Sequence, residues 1–244
     1  MGHRARLKTG CAGAATALAQ SPDRRTYWRL TPTLHVCAAH GRVIFLDVAR
    51  DRYFGLPEAC EPAFNDWLST AAGPLPDMCR EGLVALGIIR AAEGADLRPV
   101  ACTIDMPLAL DAAPVAARRP SAADGIALAR ILLATWQEVR RHRLQAVLGR
   151  SFARPAGARA RDDEVRTRLA TFRAVRPWIP VPRVCLHDCL ALVRWLGPDA
   201  AGVELVLGVS PYPFSAHCWV QMGGRVIDDH PQSPSRYQPI LRLP

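Results

Sequence analysis

Lysine is nearly absent from this basic chain of 244 residues, whose formal charge is +9. Lys8 is the only lysine among 31 basic side chains, and all the others are arginine. A P-loop needs a lysine after a glycine-rich turn to reach the phosphates of a nucleotide, and the sequence contains no such segment. The arginines are scattered along polar helix faces and form no continuous basic stripe, so binding to nucleic acid is not predicted.

Long apolar runs are also missing. No segment approaches the roughly 20 residues that a membrane span requires, so no membrane association is expected. The first 26 residues are basic and then rich in alanine, without the leucine-rich core of a signal peptide, and we interpret 1–26 as a disordered extension. The eight cysteines are spread along the chain rather than concentrated in a small scaffold, which favours buried thiols in a reducing cytoplasm.

The first organised unit is predicted over residues 27–101. Alternating segments, "LHVCA", "GRVIFLDV" and "DRYFGL", are separated by short polar turns and predict a three-stranded meander. Two helical patterns follow, "PEACEPAFNDWLS" and "DMCREGLVALGII". Strands followed by helices predict a small winged-helix-like domain, although residues 80–86 contain, beyond Arg80, no side chain suited to reading bases. Residues 102–122 are rich in proline and alanine and predict a linker.

A cysteine begins a helix in the second unit, predicted over 123–244. A long helix over 122–149 and another over 162–174 precede the segment "CLHDCLALVRWLG", which stops at Gly197. Cys185 falls in the first turn of that helix, where unpaired N–H groups and the helix dipole lower the pKa of a thiol. We therefore predict Cys185 as a nucleophile and Cys189, one turn later, as a packed small residue.

A base and an acid follow on a predicted hairpin. "SAHCWVQM" alternates so that His217 and Trp219 share one face, and the Gly-Gly turn leads to a returning strand that ends in Asp228 and Asp229. A thiol at a helix start, an imidazole and a carboxylate make the Cys-His-Asp arrangement of acyl transfer, in which the base activates the thiol and the acid orients the base. The predicted fold class is α+β.

The same residues resemble a known family. "CLHDCLAL", "PFSAHCWVQMGGRVIDD" and "RYQPIL" are similar to the lasso-peptide leader peptidases, transglutaminase-like cysteine peptidases of a papain-like type. The resemblance assigns Cys185 as nucleophile, His217 as base and Asp229 as orienting acid. Cys218 stands where alanine is common, and Asp228 stands where asparagine is common, so the choice between the two aspartates stays open.

The resemblance also implies a role for the amino-terminal unit. Undivided members of the family fuse the peptidase to a domain that recognises the leader of a precursor peptide, which adds a strand beside the third strand and packs on the last helix. It assigns leader contacts here to Arg50, Arg52, Tyr53, Phe54, Arg80 and Leu83. The expected reaction removes the leader and passes the core to an asparagine-synthetase-like cyclase. No cofactor is expected in this chain, and any need for ATP would reside in that partner.

Three alternatives are kept. Cys185, Cys189, His187 and His217 offer enough ligands for zinc, but their spacing is not that of a zinc knuckle, and no metal site is predicted. A winged-helix protein that binds without catalysis is a second alternative. A transglutaminase-like acyltransferase, which would form isopeptide bonds with the same three residues, is the third.

Overall fold

The computed structural model describes residues 27–69, 77–92, 108–109, 119–152, 162–197, 202–227 and 234–244. The predicted extension 1–26 lies outside these residues, as does most of the predicted linker. The described part combines ten strands and six α-helices, which confirms the predicted α+β class. Among the described residues, no helix is long and apolar enough to cross a bilayer.

The predicted amino-terminal meander is present. Strands β2 (Leu34–Ala39), β3 (Arg42–Asp47) and β4 (Arg52–Gly55) form an antiparallel sheet in which β4 is an edge strand. The β2–β3 turn is made by His40 and Gly41, both with positive φ, as a tight hairpin requires. A second, two-stranded sheet joins β1 (Tyr27–Leu30) to β5 (Ile89–Ala92) and was not predicted.

The two faces of this three-stranded sheet pack in different directions. One face packs against α1 (Glu61–Ser69) and α2 (Asp77–Ala85) in a small core that includes Phe45, Phe64, Trp67 and Leu83. The opposite face, with Cys37, Ile44, Leu46 and Val48, joins a larger core made by the carboxy-terminal elements.

The carboxy-terminal elements are four helices and a mixed sheet. The helices are α3 (Ala122–Arg141), α4 (Leu144–Phe152), α5 (Asp162–Val175) and α6 (Cys185–Leu196). The sheet has the order β10 (Gln238–Leu243), β7 (Val203–Pro211), β8 (Phe214–Met222), β9 (Arg225–Val226) and β6 (Leu108–Ala109). Its short strand β6 falls within the predicted linker and pairs in parallel with β9.

The long helix predicted over 122–149 is wrong in one respect, since it is two helices. The chain is extended at His142, the carboxy-terminal cap of α3, and α4 begins two residues later. Asp51 Oδ1 accepts a hydrogen bond from the Leu144 N–H (2.7 Å), and the Val48 carbonyl accepts one from the Gln145 N–H (3.0 Å). The amino-terminal unit thus caps α4. This contact joins segments that are far apart in the chain, so no local sequence pattern predicts it.

Contacts across the predicted boundary make the two units one packed body. The Arg143 guanidinium donates to the Ala49 carbonyl at 2.7 Å, beside the backbone bonds just described. Side chains of β2 and β3 lie in the same core as those of α3, α6 and β7. The domain boundaries themselves stay a prediction, but the amino-terminal sheet forms part of the wall around the carboxy-terminal core.

Candidate active site

Cys185 is the first residue of α6, as the sequence predicted. Val184 before it is extended and provides no side-chain cap, so the first N–H groups of the helix are not used by a capping side chain. Gly197 ends the helix with φ of 82°, a conformation that glycine adopts without strain. The helix carries buried apolar residues against β8 and places its amino-terminal end at the edge of the core.

A buried arginine holds the segment that leads into this helix. Arg176, only 3% exposed, donates to the carbonyls of Ile179 (3.2 Å), Val181 (3.1 Å) and Pro182 (3.3 Å). The same guanidinium pairs with Asp188, in the first turn of α6, at 2.8 Å. Because these bonds join both sides of Cys185, Arg176 fixes the position of the helix start.

His217 lies on β8, opposite Gly208 of β7, and lines the same cavity as Cys185, where its imidazole favours the thiolate form of that cysteine. The imidazole packs against Tyr237 and Trp219, with ring centroids 5.1 Å and 6.4 Å away. Position 208 has room only for glycine, because a Cβ there would lie 2.8 Å from the Trp219 ring and 2.9 Å from Tyr237. The structure therefore brings together the predicted nucleophile and the predicted base, and the aromatic residues beside Gly208 support the base.

The expected lowering of the Cys185 pKa is contradicted. The neighbouring thiol of Cys218, together with burial, raises the pKa of Cys185 to about 12. The imidazole of His217 and the backbone of Cys218 act in the opposite direction but do not prevail. The helix start alone does not set this pKa, because the neighbouring thiol of Cys218 lies on strand β8. Thiolate formation thus depends on transfer of the proton to His217.

Cys189 is packed, as predicted. It is 2% exposed, and its thiol donates to the Cys218 carbonyl at 3.3 Å. The Cys218 and Cys189 sulfur atoms lie 3.5 Å apart, and both cysteines are free thiols. Three thiols therefore meet where α6 crosses β8, and of these Cys185 is the least buried.

A cavity of about 340 Å³ opens beside Cys185 and His217. Its lining combines residues of the carboxy-terminal part with residues from β3, from the turn before β4 and from β4. Besides Cys185 and His217 these are Leu46, Asp51, Tyr53, Val139, His142, Leu144, Val147, Leu186, Leu207, Ala216 and Cys218. Most of these side chains are apolar, which suits a pocket that receives part of a peptide. The contribution of Leu46, Asp51 and Tyr53 was missed, because it depends on how the two units dock.

Both candidates for the orienting acid, Asp228 and Asp229, lie outside the described residues. Ile227, the last described residue before them, donates its N–H to the Val220 carbonyl at 2.9 Å. Its own carbonyl accepts a hydrogen bond from Arg173 at 2.6 Å. The chain at Ile227 thus runs antiparallel to β8, on which His217 lies three residues before Val220. The role of Asp229 stays a prediction.

The residues assigned to leader contacts have different environments. Arg50 and Arg52 have exposed side chains on either side of the buried Asp47, to which Arg50 bonds at 3.1 Å. Phe54 is half-buried and stacks on Phe45, while Arg80 pairs with Asp77 at 2.5 Å.

The positions of two further residues do not suit the predicted contact with a leader peptide. Leu83 is 2% exposed in the small core, so its predicted contact with a leader finds no support in its position. Tyr53 instead lines the cavity beside Cys185.

The zinc alternative gains no geometric support. Within the described residues, no group of three or more His, Cys, Asp or Glu side chains is arranged to hold a metal ion. His187 is buried in α6, its Nδ1 has no hydrogen-bond partner, and it does not line the cavity that Cys185 and His217 share.

Residues 127–242 match the family model of the transglutaminase-like superfamily. A stretch of 59 residues is 37% identical to the microcin J25-processing protein McjB of Escherichia coli. This stretch is 24% of the chain and 28% of that relative, so the chain spans well under two thirds of the relative's length. No solved structure matches the chain. The predicted likeness to transglutaminase-like proteins is confirmed.

Proposed function

We propose that this chain, whose residues 127–242 match the transglutaminase-like family model, is a cysteine peptidase that removes the leader from a ribosomally made lasso-peptide precursor. The observation that carries the proposal is that Cys185, at the start of a helix, and His217 line one largely apolar cavity, in which the imidazole favours the thiolate form of the cysteine. The partial likeness to a microcin-processing protein supports a peptide precursor as substrate.

The chemistry begins with the transfer of the Cys185 proton to His217. The sulfur adds to the carbonyl carbon of the scissile peptide bond, and the electron pair of the carbonyl moves to its oxygen. When the carbonyl re-forms, the C–N bond breaks, and the departing amine of the core takes the proton from His217. The leader stays on Cys185 as a thioester.

Water then completes the cycle. His217 takes a proton from a water molecule, and the resulting hydroxide adds to the thioester carbonyl. The C–S bond breaks, the leader leaves as a carboxylic acid, and the sulfur regains its proton from the imidazolium. We assign Asp229 as the group that orients His217, with Asp228 as the neighbouring candidate, because the chain at Ile227 runs antiparallel to the strand that carries His217.

The leader would bind at the open edge of β4. An extended peptide that adds to an edge strand gains main-chain hydrogen bonds, and β4 is such a strand in the described sheet β2–β3–β4. Arg50 and Arg52 lie beside this edge, with side chains 64% and 55% exposed. Arg143 also bonds to Ala49 in the turn before β4, so three guanidinium groups lie near the two carboxylates of Asp47 and Asp51, which leaves a positive charge suited to acidic leader residues.

The released core would have a new amino terminus, which a separate asparagine-synthetase-like cyclase would join to a side chain of the same peptide. Ring closure to an amide needs an activated carboxyl group, so any ATP would be consumed by that partner. No nucleotide-binding motif occurs in this chain.

Incubation of the full chain with its cognate precursor peptide tests the proposal. Mass spectrometry is expected to detect leader and core as separate products, and Cys185→Ala is expected to abolish them while leaving precursor binding intact. Cys189→Ala is the matched control, because this thiol lies one helical turn away and is expected to leave cleavage in place. Continued cleavage by Cys185→Ala would contradict the proposal. Transfer of the leader to an added amine in preference to water would indicate an acyltransferase instead.

A further inference from the structure

Acyl transfer requires hydrogen-bond donors where the carbonyl oxygen becomes negatively charged. One donor is available at the helix start, since the Cys185 N–H is among the first N–H groups of α6, which have no acceptor within the helix. A single donor leaves half of a two-donor oxyanion site unfilled. The second must come from a group that lines the same cavity and holds a proton that it can donate.

Tyr53 meets both requirements. It is the tyrosine of the cavity lining, in which Cys185 and His217 also lie. Its ring is held by Phe214, with centroids 5.6 Å apart, and its backbone is fixed opposite Leu46 in the β3–β4 ladder. Within the described part of the chain, the Tyr53 hydroxyl makes no hydrogen bond. The side chain is therefore anchored through its ring while its hydroxyl is uncommitted.

The surroundings keep the hydroxyl protonated. Burial, followed by the neighbouring thiols of Cys218 and Cys185, raises the pKa of Tyr53 to about 12. The phenol thus remains a donor throughout the range in which a peptidase works.

We propose that the Tyr53 hydroxyl, supplied by the amino-terminal sheet, is the second oxyanion donor of the Cys185 site. This inference rests on the proposed function. When the Cys185 sulfur adds to the carbonyl carbon, the oxygen that receives the electron pair accepts hydrogen bonds from the Cys185 N–H and from Tyr53. The phenol keeps its proton throughout, and both bonds weaken when the carbonyl re-forms. Tyr53 is then a catalytic residue rather than a contact for the leader.

Two reagents separate this role from an effect on the thiol. 4-Nitrophenyl acetate acylates a cysteine through a tetrahedral oxyanion and releases 4-nitrophenolate, which absorbs visible light. Iodoacetamide alkylates the same sulfur by displacing iodide, so no oxyanion forms. For Tyr53→Phe, which keeps the ring on Phe214, the acylation rate is expected to fall by about 100-fold, the loss typical of removing one oxyanion donor. The alkylation rate is expected to stay within about twofold of the original.

Tyr212→Phe is the matched control. It also removes one phenol, but Tyr212 is 64% exposed, bonds to Arg42 at 2.9 Å and does not line the cavity. Both of its rates are expected to remain unchanged. Unchanged acylation in Tyr53→Phe would overturn the inference, and so would an equal fall in both rates, which would show that Tyr53 acts through the thiol. If the original protein were not acylated on Cys185 at all, the proposed peptidase function would fail as well.

Discussion

Replacing Arg176 by methionine is expected to destabilise the fold where it positions Cys185. The guanidinium is 3% exposed and bonds to Asp188 and to three carbonyls of the segment before α6. Removing one partner of a buried ion pair typically costs about 3–5 kcal/mol, because the other charge stays buried without compensation. The side chain of Asp188 is 20% exposed and lies 3.8 Å from Arg183, so its charge would keep some compensation, and the cost should lie at the lower end of this range.

We therefore expect a loss of about 3 kcal/mol in the free energy of unfolding. For a chain of this length, the melting temperature would fall by roughly 6–12 °C. Urea and thermal unfolding followed by circular dichroism measure both quantities. Arg183→Met is the matched control, since Arg183 faces the same Asp188 but is 71% exposed, and exposed ion pairs contribute about 0–1 kcal/mol. Equal losses in the two variants would refute the reasoning that burial of Arg176 sets the cost.

Further predictions concern the thiol and two glycines. Because Cys218 and burial raise the pKa of Cys185 to about 12, the rate of alkylation by iodoacetamide should keep increasing above pH 9, and a plateau near pH 9 would contradict this. Cys218→Ala should lower the pKa of Cys185 and speed its alkylation at pH 8. The unfolded thiol ionises at lower pH than the folded thiol, so the same shift predicts that stability is lost as pH rises from about 9 towards 12. Gly208→Ala should cost about 1–3 kcal/mol in urea unfolding, since its Cβ would meet Trp219 and Tyr237. Gly149→Ala, in α4 with open space around it, should instead stabilise by about 0.4–1 kcal/mol, and matching signs would contradict the steric argument.

The elements that the sequence predicted correctly are those with complete local signals. The strands β2 to β4 alternate between faces and are bounded by short polar turns, and α6 begins after a proline-rich segment and ends at Gly197. The β8–β9 turn contains Gly223 and Gly224, both with positive φ. In each case the residues that define the element lie within it or directly beside it.

The features that the sequence did not predict depend on contacts between segments that are far apart in the chain. No residue near His142 ends a helix by itself, and α3 stops because Val48, Ala49 and Asp51 accept hydrogen bonds from the next turn. The pKa of Cys185 was misjudged because the decisive neighbour, Cys218, lies 33 positions along the chain on β8. Strand β10 has Pro239 and a register shift before Leu241, which hide its alternation.

The docking of the amino-terminal sheet also bears on how substrate binding and catalysis would be joined. Successive side chains of a strand point to opposite faces, and in β4 Phe54 packs with the small core while Tyr53 reaches the cavity. If the function is as proposed, a leader paired with the edge of β4 would contact the strand that carries Tyr53, the second oxyanion donor. Binding energy gained at the edge could then hold Tyr53 in position as the carbonyl oxygen becomes charged. Such use of remote contacts appears in the turnover rate as well as in affinity. A precursor shortened at its leader would therefore be cleaved more slowly even at saturating concentration.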